Sequence, residues 1–99
     1  MSDNDLAAFA APPFDAGGAL QQIRRSLRDL KLSERGNGFE LRGRRVAEAE
    51  LDGALLQARI ARRPMLTPDW DRFVIQSVPD QRKFVDELKK RLARWEREE

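Results

Sequence analysis

Apolar positions along this chain keep a helical period at both ends and lose it in the middle. Leu20, Ile23, Leu27 and Leu30 recur at spacings of three, four and three, which predicts an amphipathic helix over residues 17–32. Asp15 stands where its N-cap belongs, and Arg24, Arg25, Arg28 and Lys31 fall off the apolar stripe. Leu32 and the Ser33–Gly38 stretch end that helix, with Gly36-Asn37-Gly38 the strongest breaker in the sequence. Near the other end Phe84, Val85, Leu88, Leu92 and Trp95 share one face of a second helix reaching residue 97. Ser77-x-x-Asp80, with Pro79 in the first turn, reads as its capping box.

The segment between Phe39 and Arg63 reads two ways. As helix, Ala47 to Ile60 has high propensity, but its apolar positions wrap around the axis and Gly53 in mid-helix costs about 1 kcal/mol. As sheet, Asp52-Gly53 predicts a two-residue hairpin turn. That turn sets Leu51 opposite Ala54, Ala49 opposite Leu56 and Ala47 opposite Ala58 on one apolar face, with Glu48 opposite Gln57 on the other. A three-residue loop, Gly43-Arg44-Arg45, sets Phe39 opposite Ala49 and Leu41 opposite Ala47 on that same face. Two turns agreeing on one face favour a meander of strands at 39–42, 46–51 and 54–61 over an all-α bundle.

Pro64 and Pro68 bracket a loop. After it, Thr67-Pro68-Asp69 suits a helix start whereas Phe73-Val74-Ile75 suits a strand, and the balance tips to a fourth strand. The expected fold is a single α+β domain over residues 16–99, ordered α-β-β-β-(β)-α, its antiparallel meander covered on one face by two amphipathic helices. Residues 1–15 offer only Leu6, Phe9 and Phe14 for burial and read as a disordered or loosely attached tail.

Composition narrows the chemistry. The 99 residues include no His, Cys or Tyr, which removes most routes to acid–base, nucleophilic or thiol–metal chemistry near neutral pH. The carboxylate pairs Asp69/Asp71 and Glu48/Glu50 have no apolar pocket beside them in the sequence, and no calcium-loop spacing is present. Gly36-Asn37-Gly38 lacks the Gly-Lys-Ser/Thr end of a phosphate loop and reads as a turn. The expectation is therefore a chain that is not an enzyme, with no cofactor, no metal and no small-molecule substrate.

Charge is placed unevenly. Net charge is +2 with fifteen Arg among nineteen basic residues, a bias that suits a GC-rich, bacterial coding sequence. Residues 1–16 hold three Asp and no base, residues 17–63 eleven bases and six acids, and residues 64–99 eight of each. No apolar run approaches the roughly 20 residues that span a bilayer. The acidic opening Met1-Ser2-Asp3-Asn4-Asp5 is unlike a basic secretory signal, which predicts a cytoplasmic protein with no membrane insertion.

Two function classes follow. The first is a non-catalytic cytoplasmic protein-binding or assembly module, with a protein partner or a second copy contacted through apolar anchors. Trp95, near the open end of the last helix, is the candidate to reach past the core, and Phe9 and Phe14 could anchor the tail on a partner. The second is a nucleic-acid-binding module: Arg35, Arg42, Arg44 and Arg45 cluster at one hairpin end with Arg59, Arg62 and Arg63 nearby on the third strand, and Arg42, Arg44, Arg45 and Arg59 are the candidate contacts. The α-β-β-β-α order resembles double-stranded RNA-binding domains in outline. Pro79-Asp80-Gln81 stands where those domains carry a basic helix start.

Overall fold

Asp15 caps the first helix: its carboxylate accepts the Gly18 N–H at 3.0 Å, and α1 runs Ala16–Asp29. The computed structural model describes residues 13–98. The helix ends earlier than its apolar stripe predicts, because Lys31 turns left-handed at φ +71°. Its N–H donates to the Arg28 carbonyl at 2.9 Å and that of Leu32 to the Leu27 carbonyl at 3.3 Å, a Schellman closure. Leu32 is thereby buried beside the end of the stripe, and Ser33 leaves in an extended direction.

Five strands follow: β1 (Ser33–Arg35), β2 (Gly38–Leu41), β3 (Arg44–Asp52), β4 (Leu55–Ala61) and β5 (Trp70–Ile75). They form one antiparallel sheet in sequence order. The last helix, α2, spans Val78–Glu98. Ser77 Oγ accepts the Asp80 N–H at 3.2 Å and the Asp80 carboxylate accepts the Gln76 N–H at 3.1 Å, so the predicted cap forms, reaching back one residue further than a standard box. The α+β architecture and the meander hold; the all-α alternative does not.

The sequence reading missed β1. Gly36-Asn37 is a hairpin turn rather than a plain breaker, with Gly36 at φ +61° and Arg35 paired to Gly38. With five strands between the helices, the order departs from that of double-stranded RNA-binding domains.

The two predicted turns are also displaced, each with a physical cause. Arg42 and Gly43 both take positive φ, +53° and +81°, which makes a two-residue type I′ turn in place of the three-residue loop. Phe39 consequently pairs with Ala47, and the ladder slips between Phe39 and Glu40, so that Val46 is a bulge residue. Both Val46 and Ala47 are fully buried, while Arg45 is turned to the opposite face. At the next turn Gly53, at φ +61°, takes the first position and Ala54 the second, where the sequence reading placed Asp52-Gly53. Leu51 thus pairs with Leu56, Ala49 with Ala58 and Ala47 with Ile60. Each pairing moves by two residues, an even step that leaves every side chain on its predicted face.

Both helices pack on the face that carries Phe39, Ala47, Ala49, Leu56, Ala58, Ile60 and Ile75, all buried. Ile23 and Leu27 of α1 and Phe84 and Leu88 of α2 complete the core, and Phe73 meets Phe84 edge to face at 5.6 Å. Arg91 ties helix to sheet. Its side chain is 11% exposed, pairs with Asp71 at 2.8 Å and Glu87 at 2.7 Å, and donates to the Ala61 carbonyl at 3.1 Å. Among the described residues no helix is long and apolar enough to cross a membrane.

Candidate interaction surface

The second face of the sheet carries no helix, and its centre is an ion-paired array built by the bulge. Arg45, swung outward, lies over Gly38, where any Cβ would collide with the guanidinium. From there it donates to Glu48 at 2.8 Å, to the Asn37 side chain at 3.2 Å and to the Arg35 carbonyl at 3.0 Å. Arg59, opposite Glu48 in register, binds the same carboxylate through two bonds of 2.7 and 3.1 Å. The Arg59 guanidinium also sits 4.1 Å from the Trp70 ring centroid, a cation–π contact. Asn37, Glu48, Glu50, Gln57, Arg59 and Arg72 line a polar depression of about 230 Å³ here.

Burial alone would raise the Glu48 pKa, but the hydrogen bonds from Arg59 and Arg45 outweigh it and hold the carboxyl below its ordinary value. Asp71, on the helix-covered face, is likewise lowered by the hydrogen bonds from Arg62 and Arg91. Both carboxylates are thus held ionised, the opposite of the raised pKa a general acid requires. Among the described residues no group of three or more His, Cys, Asp or Glu is placed to hold a metal ion.

The structure divides the four arginines grouped from sequence. Arg42 and Arg44 stay at the β2–β3 turn, beside Leu41 and Pro64. Arg45 and Arg59 lie on the open face, neutralised by Glu48. Arg35 pairs with Glu40, Arg62 with Asp71 and Arg63 with Glu98. Trp95 requires a correction: it is 3% exposed, packed in the core instead of reaching past it, because α2 turns that position inward, beside Arg63, Pro64 and Met65 of the loop after β4. Its indole N–H has no acceptor among the described residues. Phe14 packs against the core and lines an apolar groove of about 320 Å³ with Pro13, Gly18, Ala19, Val78 and Gln81. Phe9 lies outside the described residues.

The most available element is one the sequence reading did not single out, the edge strand β5. The Arg62 N–H donates to the Asp69 carbonyl at 2.9 Å, which marks that pair as hydrogen-bonded. Stepping by two, Asp71, Phe73 and Ile75 exchange bonds with β4, so the N–H and C=O groups of Trp70, Arg72 and Val74 point away from the sheet. Among the described residues no other strand pairs with them. Val74 is 48% exposed and Arg72 is exposed on the same open face, with no ion-pair partner among the described residues. The signal was legible as the run Trp70-Asp71-Arg72-Phe73-Val74-Ile75, aromatic and β-branched around the charged pair Asp71-Arg72.

Comparison with protein-family models, with curated proteins and with solved structures found no match for the chain.

Proposed function

We propose that the chain is a non-catalytic protein-binding or assembly module that accepts an extended segment of a partner, or of a second copy, on the edge of β5. The observation that carries this is the six-residue edge with outward backbone groups at Trp70, Arg72 and Val74 and an exposed apolar side chain, Val74, near its C-terminal end. Such an edge is a template for strand addition: main-chain bonds supply affinity, and alternate side chains supply selectivity. A chain that has no cysteine needs no oxidising compartment to fold, and the cytoplasm is the proposed site of action. The nucleic-acid reading is weaker, because Arg45 and Arg59 already share the Glu48 carboxylate and only Arg42 and Arg44 of that group lie at the turn.

Val74→Pro tests the reading selectively. Proline at an outward-facing edge position removes a donor that β4 does not use, so the sheet should survive while strand addition fails. Tagged full-length chain recovered from its own cell lysate should keep a discrete protein partner after nuclease treatment and at moderate salt, and Val74→Pro should lose it. Material that disappears with nuclease, falls steeply with salt and depends on Arg42 and Arg44 would overturn the protein-binding reading in favour of nucleic acid.

A further inference from the structure

A single row across the open face carries more cations than it pairs. From β1 to β5 the register sets Arg35, Gly38, Glu48, Arg59 and Arg72 side by side, and Arg45 lies over Gly38. Glu48 binds Arg45 and Arg59, and Arg35 reaches Glu40 at 3.9 Å. Arg72 comes last, directly opposite Arg59, a like-charge pair that costs stability. It has no ion-pair partner among the described residues. On this face β4 and β5 place Gln57, Arg59, Trp70 and Val74 around it and no acid, while Glu40, Glu48 and Glu50 stand farther in, on β2 and β3.

This unpaired cation sits in the middle of the outward-facing backbone groups of the edge, between Trp70 and Val74. A residue opposite Arg72 on an added strand would lie about 5 Å away, Cβ to Cβ, and the residues two places to either side would meet Trp70 and Val74. A second copy of the chain offers no acid for that position. Antiparallel pairing of β5 with itself sets Arg72 against Trp70, Arg72 or Val74, and the other edge, β1, presents Ser33 and Arg35 on the open face.

Resting on the reading of β5 as the binding edge, we propose that its occupant is an extended segment of a different protein, with Asp or Glu opposite Arg72 and an apolar residue two places to each side. The acid pairs with Arg72 and offsets its repulsion from Arg59, extending outward the pairing that Glu48 provides farther in. One apolar residue covers Val74, which is 48% exposed, and the other packs beside the Trp70 ring, whose face Arg59 already holds. The alternate residues fall on the helix-covered face beside Asp71 and Phe73. Asp71 is satisfied there by Arg62 and Arg91, and Phe73 is half-buried at the rim of the core, so neither position calls for a charge.

The probe is a capped seven-residue peptide with Glu at its centre, Val two places to each side and Thr elsewhere, which reads the same in both strand directions. Added to the purified full-length chain, it should shift the amide resonances of Trp70, Arg72 and Val74. The same peptide with Lys at its centre should bind about tenfold more weakly, and Arg72→Glu should reverse that order. Amides of Ile60 and Phe84 should stay in place in the variant, which reports an intact fold. Val74→Pro should bind neither peptide. Equal affinity for the two peptides, still lost in Val74→Pro, overturns the acid preference and leaves the edge standing. A preference for Glu that survives Val74→Pro shows an anion held by Arg72 without strand addition, and overturns the edge reading with it. Shifts at Trp70, Arg72 and Val74 that grow with the concentration of the chain alone assign the edge to a second copy and overturn the proposal. Absence of shifts at these amides with millimolar peptide overturns both readings.

Discussion

Glu48 holds the open face together at the scale of single residues. One carboxylate neutralises Arg45 and Arg59, and Arg59 in turn covers the Trp70 ring, so three strands are joined through one side chain. Because the folded-state pKa of Glu48 lies below its ordinary 4.5, its contribution to stability is fully present above that value and is lost as pH falls through the lower, folded-state one. Glu48→Gln should therefore lower the melting temperature at pH 7 and flatten its fall between about pH 5 and pH 3, measured by thermal melts across that range. An unchanged acid limb would show that other carboxylates, such as Asp71, set the acid sensitivity. A Cβ at Gly38 would meet the Arg45 guanidinium, so any larger residue there must displace the far end of that side chain.

At the scale of elements, the hairpins are decided by where positive φ falls. Gly53 is the first residue of its turn at φ +61°, and a Cβ there would meet nothing within 4 Å. Any penalty for Gly53→Ala is thus a backbone penalty, about 1–2 kcal/mol, and the melting temperature should drop by roughly 4–16 °C. A helix through this segment would respond with the opposite sign, so the measurement reads the fold directly. The capped ends behaved differently from the turns. Asp15 and Ser77 cap the helices where the sequence placed them, because a cap is a bond between residues three apart and needs no distant partner. The β3–β4 register was displaced by a pair, because Asp52-Gly53 and Gly53-Ala54 are both acceptable turns locally. What selects between them is the packing of Leu56, Ala58 and Ile60 beneath the helices.

Across the whole molecule, Arg91 is the side chain that couples the helix layer to the far end of the sheet. It satisfies the Ala61 carbonyl where β4 ends and shares Asp71 with Arg62. Arg91→Ala leaves that carbonyl and part of the Asp71 charge without a partner. The expected cost is about 2 kcal/mol, with a melting temperature lower by roughly 8–16 °C. In hydrogen exchange, β4 and β5 should loosen together while β1 and β2 keep their protection. A uniform loss over all five strands would mean the sheet opens as one unit.

The sequence by itself determined the two amphipathic helices with their caps, the α+β class, and which face the residues from Ala47 to Leu51 of β3 and from Leu56 to Ile60 of β4 present. All of these follow from short-range periodicity and from bonds between near neighbours. Tertiary structure decided the rest. It made a strand of Ser33–Arg35, too short to carry a periodic signal, by giving it β2 to pair with. It buried Trp95 instead of leaving it at an open end, since the direction of α2 over the sheet is set by long-range packing. It turned Arg45 away from the hairpin tip through the Val46 bulge, converting a row of arginines that read as one basic cluster into a neutralised array and a separate turn. And among the described residues it left β5 as the edge: six residues reveal their strand character locally, but whether a sixth strand lies beside them depends on the order of the entire sheet.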